Sequence, residues 1–268
     1  SLILSATESF LNYNSDIYAL GLLNISGYSL SNNQGYIGSK ELITVQAEDI
    51  VNNSGEIVSE KAVSVQGNDF TNSGLVSALT SLSIEANGIT NKDNNEEGKG
   101  LVSGGEINLV SESGDIINEA GKIHADGQIS LQTNKDVLNL GTDSNIIALE
   151  KIDVNSKGNF INEGVLGSNK EILINNGDDE AITMISNTGL IEAAKSITAK
   201  ANTFFNYGTF RSSESMDFQV GAEGIVNVGT IESNSDLSIR SEGDINNLGL
   251  IKAFTTAKLY TDTDIVND

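Results

Sequence analysis

The sequence contains no cysteine, no proline and no tryptophan, and a single histidine in 268 residues. Without cysteine there is no disulfide framework, no thiolate metal site and no cysteine nucleophile. A proline-free chain of this length suits a backbone whose N–H groups are nearly all committed to sheet ladders, because proline cannot donate to one. Basic side chains are also scarce. Fifteen Lys and Arg stand against 37 Asp and Glu, a formal net charge of −22. That balance repels phosphate backbones and argues against nucleic acid as a partner. No apolar run approaches the roughly 18–20 residues that span a bilayer as a helix. The opening Ser1-Leu2-Ile3-Leu4 has no basic flank and no cleavage pattern, so it does not read as a signal peptide. The chain is expected to be one repeat domain over 1–268, an excerpt from something longer.

Against these absences, glycine and asparagine are abundant and regularly placed. An Asn-x-Gly frame ends at Gly35, Gly55, Gly74, Gly141, Gly164, Gly189, Gly208, Gly229 and Gly249; a stretched version ends at Gly121, and Gly100 fills the remaining gap. Successive glycines lie 19 to 26 residues apart. Two residues after each glycine sits an apolar residue, as at Ile37, Val102, Phe210 and Ile231. Four after it sits a small one, as at Ser39, Gly104, Ser212 and Ser233. The unit from Gly141 departs from this frame, with Asp143 and Asn145 in those places. Alternating apolar pairs follow, such as Val63-x-Val65 and Leu237-x-Ile239, and a last apolar residue precedes the next Asn.

Strict alternation over three to five residues is strand periodicity, and no segment sustains helical spacing. Several short strands per unit of about 20 residues describe one rung of a parallel β-solenoid. The expected fold is therefore all-β, a solenoid of about 11–12 coils. The ten recurrent glycines, Gly35, Gly55, Gly74, Gly121, Gly141, Gly164, Gly189, Gly208, Gly229 and Gly249, are expected at corners, through positive φ or close backbone approach. Stacking would set each frame Asn over the one below in an amide ladder. Two polar insertions, near 92–99 and 176–181, are expected to loop out of the wall.

Units such as Asn227-Val228-Gly229-Thr230-Ile231-Glu232-Ser233, then Leu237-Ser238-Ile239 and Gly243-Asp244-Ile245-Asn246-Asn247, resemble the haemagglutinin repeats of filamentous haemagglutinin-like exoproteins. These are large adhesins and contact-dependent-inhibition effectors exported by two-partner secretion. The resemblance runs from about Asn12 to the end. It implies a right-handed β-helix within a secreted, surface-exposed rod. Its implied partners are flanking repeats, an outer-membrane secretion transporter and a host or bacterial surface receptor. A chain without disulfides or proline also suits passage through a narrow pore and folding outside.

No residues call for a cofactor, a metal or catalysis. His124 is expected on the surface. The acids Glu56, Glu60, Glu85, Asp115, Glu192, Glu232 and Asp244 read as scattered wall charges. Arg211 and Arg240 read as lying in nonadjacent units and out of phase with any acid cluster. A β-helical polysaccharide lyase or hydrolase would need converging acids and a base, and ranks behind a structural shaft and a receptor- or carbohydrate-binding rod. Asp93 to Glu97 and Asp178-Asp179-Glu180 lack EF-hand and nonapeptide calcium spacing and read as hydrated loops. For partner contact the candidates are Tyr13, Tyr18, Tyr28 and Tyr36, where aromatic faces gather in the least regular units, and Asp178 and Asp179.

Overall fold

The computed structural model describes residues 1–92, 99–175 and 181–268. Among the described residues there is no helix, and the strands wind into a parallel β-solenoid of about 13 coils. At about 4.8 Å per coil the column is roughly 60 Å long. The coil number exceeds the 11–12 expected from glycine counting. A first coil begins at Leu2, before any Asn-x-Gly, and the strands Thr256–Thr261 and Ile265–Asn267 start a further coil after Gly249.

Each coil but the last, which has two, has three faces. In the third coil they are Leu42–Gln46, Asp49–Asn53 and Glu56–Ser59. The fourth stacks on it in register, Val63 over Ile43, Phe70 over Ile50 and Val76 over Ile57. Faces 1 and 2 form one 24-stranded sheet, joined where Ser196–Asn206 and Ser215–Asn227 cross the corner as unbroken strands. Face 3 is a separate 12-stranded sheet.

Period-2 alternation turns one set of side chains into the column, where Ile, Val, Leu and Phe of all three faces make a continuous core. Ile231 is fully buried, as its phase predicts. Phe204, Phe210 and Phe218 of coils 10 and 11 pack with ring centroids 5.0–5.3 Å apart.

Two positions depart from the expected frame. Gly100 is not a corner: with φ +128° it begins the strand Gly100–Ser103 and pairs with Leu75. The inward residues are therefore Leu101 and Ser103, not Val102 and Gly104. Gly141, with φ +88°, lies outside the glycine stack. Three further residues follow it, and Ser144, fully buried, takes the stacked place and accepts the Val165 N–H at 2.9 Å. Ile146 and Ala148 then carry the core phase that Asp143 and Asn145 cannot.

Candidate functional site

The corner between faces 2 and 3 is built by asparagine. From Asn12 to Asn267, each side-chain amide donates to the Oδ1 of the Asn one coil on, in twelve successive bonds of 2.6–2.9 Å. Most of these amides also donate to the backbone carbonyl that closes the corner, for example Asn32 to Gly35 at 3.0 Å. In the early coils the stacked residues are Asn32 and Asn52, not the Asn33 and Asn53 of the Asn-x-Gly frame. There the corner is one residue longer, and the extra residue takes the left-handed region: Gln34 at φ 55° and Ser54 at φ 51°.

Close approach, rather than φ, fixes most of the glycines. A Cβ on Gly189, Gly208, Gly229 or Gly249 would fall well inside 3.0 Å of the preceding corner's carbonyl, and so would one on Gly74. On Gly164 it would meet Ser144. On Gly35, Gly55 and Gly121 it would strike the ladder amides themselves.

The corner between faces 1 and 2 carries a groove of about 680 Å³ across the first six coils. Tyr28, Gln46, Glu48, Gln66, Glu85 and Glu112 line it, and among the described residues no Lys or Arg stands in its wall. Tyr28 is exposed at its rim and tied into the wall by its N–H to the Glu8 carbonyl at 2.7 Å. The other candidate tyrosines lie elsewhere. Tyr13 is exposed at the asparagine corner, while Tyr18 and Tyr36 sit on the outer side of face 3. The Tyr36 ring covers Gly38. Partial burial, then Tyr18, Glu56, Glu60 and Asp16, raise its phenol above the ordinary value of 10.

Asp178, Asp179 and Glu180, and Asp93 to Glu97, lie outside the described residues. The described residues that precede them lie at different corners: Lys92 ends a face-2 strand, whereas Asn175 follows the face-1 strand Glu171–Ile174. Among the described residues no three His, Asp or Glu gather to hold a metal ion.

Face 3 brings together charges that the sequence reading left scattered. Arg211 is in register with Glu192 on one side and Glu232 on the other, and Glu232 with Lys252. Arg211 meets Glu192 at 3.6 Å and Lys252 meets Glu232 at 2.6 Å. The Lys252 ammonium lowers the Glu232 carboxyl below its ordinary 4.5. The signal was present in the sequence, since these four residues are spaced 19, 21 and 20 apart, the repeat period itself. Arg240 is on face 1, away from this file. His124 points outward, half-buried, with Nε2 3.4 Å from Asp126.

Neither a curated protein nor a solved structure matches the chain. The haemagglutinin repeat family matches four overlapping stretches, residues 11–93, 62–145, 125–191 and 185–253. Together with the asparagine-cornered column, those matches make the chain a member of the haemagglutinin repeat family, a β-helical segment of a filamentous haemagglutinin-like protein.

Proposed function

We propose that this chain is a shaft segment of a secreted bacterial surface exoprotein, an adhesin or a contact-dependent toxin-delivery protein, and that it carries a tip toward target cells. The unbroken asparagine ladder supports this reading most directly, because a single hydrogen-bonded file through every coil makes a stiff column rather than a cleft. Both ends support it too. Leu2, Leu4, Phe10 and Ile17 at one end, and Ile251 and Leu259 at the other, are only partly buried against the core, as suits contact with flanking repeats. Export would run through an outer-membrane two-partner secretion transporter, placing the rod at the cell surface.

The test is to excise whole coils from the parent exoprotein and measure the surface projection by electron cryotomography. The projection should shorten by about 4.8 Å per coil removed while target recognition persists. Loss of recognition at unchanged length would overturn the shaft reading.

A second reading, carbohydrate binding by the rod itself, rests on the Tyr28 groove, where an aromatic face adjoins amides and carboxylates. Glycan-array binding abolished by Tyr28→Ala would favour it. Catalysis on acidic polysaccharides ranks last, because the groove wall offers no cation to neutralise a sugar acid. Reducing-end release should be nil.

A further inference from the structure

We propose that the outer side of face 3, over coils 9 to 12, is a self-association surface on which two copies pack antiparallel, face to face. Two outward files run along this stretch. The charged file reads Glu192, Arg211, Glu232, Lys252. The file beside it reads Leu190, Thr209, Thr230, Leu250.

Both files are self-complementary about one axis. A two-fold lying along the strand direction, between coils 10 and 11, reverses the rod but keeps each file facing its own counterpart. Glu192 then opposes Lys252 of the second copy, and Arg211 opposes Glu232. Leu190 opposes Leu250, and Thr209 opposes Thr230.

At the adjoining corner Tyr207 opposes Val228. Tyr207, Val228, Leu248 and Leu250 are 55%, 43%, 54% and 47% exposed, so an apolar strip borders the charged file. An apolar strip with a polar rim is the ordinary anatomy of a protein interface.

The charges also fix the register. Slipping one copy by one coil moves the axis by half a coil and sets Arg211 against Lys252, or Glu192 against Glu232, with the remaining charges self-facing or unpaired; slipping by two coils keeps only two of the four attractive pairs. A two-fold along the rod would set the charged file against the Leu and Thr file. The file is neutral in a chain of net charge −22, so it is a place where two copies approach without like charges meeting.

Four coils span only about 19 Å of rod, short of a standard interface, so the pairing is weak for this length of chain. It would lengthen only where neighbouring coils repeat the pattern.

Sedimentation equilibrium of the 268-residue chain at physiological salt tests the proposal, with far-UV dichroism to verify folding. The parent chain should dimerise below about 1 mM. Arg211→Glu and Glu232→Arg should each weaken self-association by about tenfold or more, because each sets like charges opposite one another. An equimolar mixture of the two should recover parent-like association, since all four facing pairs are then of opposite sign. Glu192→Lys mixed with Lys252→Glu is the second, independent pair and should behave alike. A parent chain that stays monomeric to about 1 mM, or mixtures no tighter than their components, would overturn the proposal.

Discussion

Asn139 shows what one ladder position demands. Its amide accepts from Asn118 at 2.8 Å and donates to Asn162 at 2.7 Å and to the Val165 carbonyl at 3.3 Å. An Asp here keeps the acceptor and loses the donor. Its carboxylate would face two oxygens inside a stack where Asn139 itself is fully buried. Burial and those oxygens raise the folded-state pKa above the unfolded value of about 3.9. A raised folded pKa gives a contribution that is full below the unfolded value and lost as pH rises through the folded one. Asn139→Asp should therefore be destabilised by about 2–4 kcal/mol at pH 7 and by clearly less at pH 4. Urea unfolding at the two pH values checks this, and equal deficits would refute it. Ser241 is the opposite case. Its Oγ is buried without a hydrogen-bond partner, while Thr261 in the same file donates to the Gly243 carbonyl at 2.7 Å. Ser241→Ala removes an unsatisfied hydroxyl and should leave stability unchanged or raise it by about 1 kcal/mol in a thermal melt.

At the scale of the coil, the corner length decides which changes the wall accepts. Three residues, Glu119 to Gly121, carry the chain from Asn118 to the strand beginning at Lys122. Deleting Asp93 to Glu97 leaves Lys92, Gly98 and Lys99, also three residues, between Asn91 and the strand beginning at Gly100. The shortened corner has a length the fold already uses, so far-UV dichroism and melting temperature should be unchanged within error. Loss of β signal would show that the segment belongs to the wall. The same corner explains what the sequence made legible. Period-2 alternation and a 20-residue spacing are set by the pleat and the stack, so strands, inward phase and solenoid could be read directly from the residues. Corner length varies between Asn-x-Gly and Asn-x-x-Gly, so the glycine frame points to Asn33 and Asn53 where Asn32 and Asn52 stack, and it gives the wrong phase after Gly100; the break at Gly141 is visible in the sequence, but not the phase that replaces it. A motif compares residues within one unit, so it hides the Arg211 file, which shows only between residues one period apart. The groove at Tyr28 joins six coils through a corner, and no local pattern announces it.

At the scale of the rod, stability is the sum of coil–coil contacts, and those contacts are unequal. Between coils 10 and 11, Phe218 packs on Phe204 at 5.0 Å and on Phe210 at 5.3 Å. Each such ring contact adds about 0.5–1.5 kcal/mol beyond the area it buries. Between coils 12 and 13 the facing inward residues are aliphatic, Ala257 on Leu237, Leu259 on Ile239 and Ile265 on Ile245, with no ring pair among them. Ending the chain after residue 255 removes coil 13 and uncovers Leu237, Ile239 and Ile245. Ending it after residue 214 removes three coils and also splits the phenylalanine cluster, leaving Phe204 and Phe210 at an open end. If contacts simply added at equal strength, the second truncation would cost three times the first. The ring contacts predict more than that ratio, read as the loss in unfolding free energy by urea titration. A ratio of three or less would mean that the aromatic joint contributes nothing special, and that the aliphatic stack and the asparagine ladder carry the column alone.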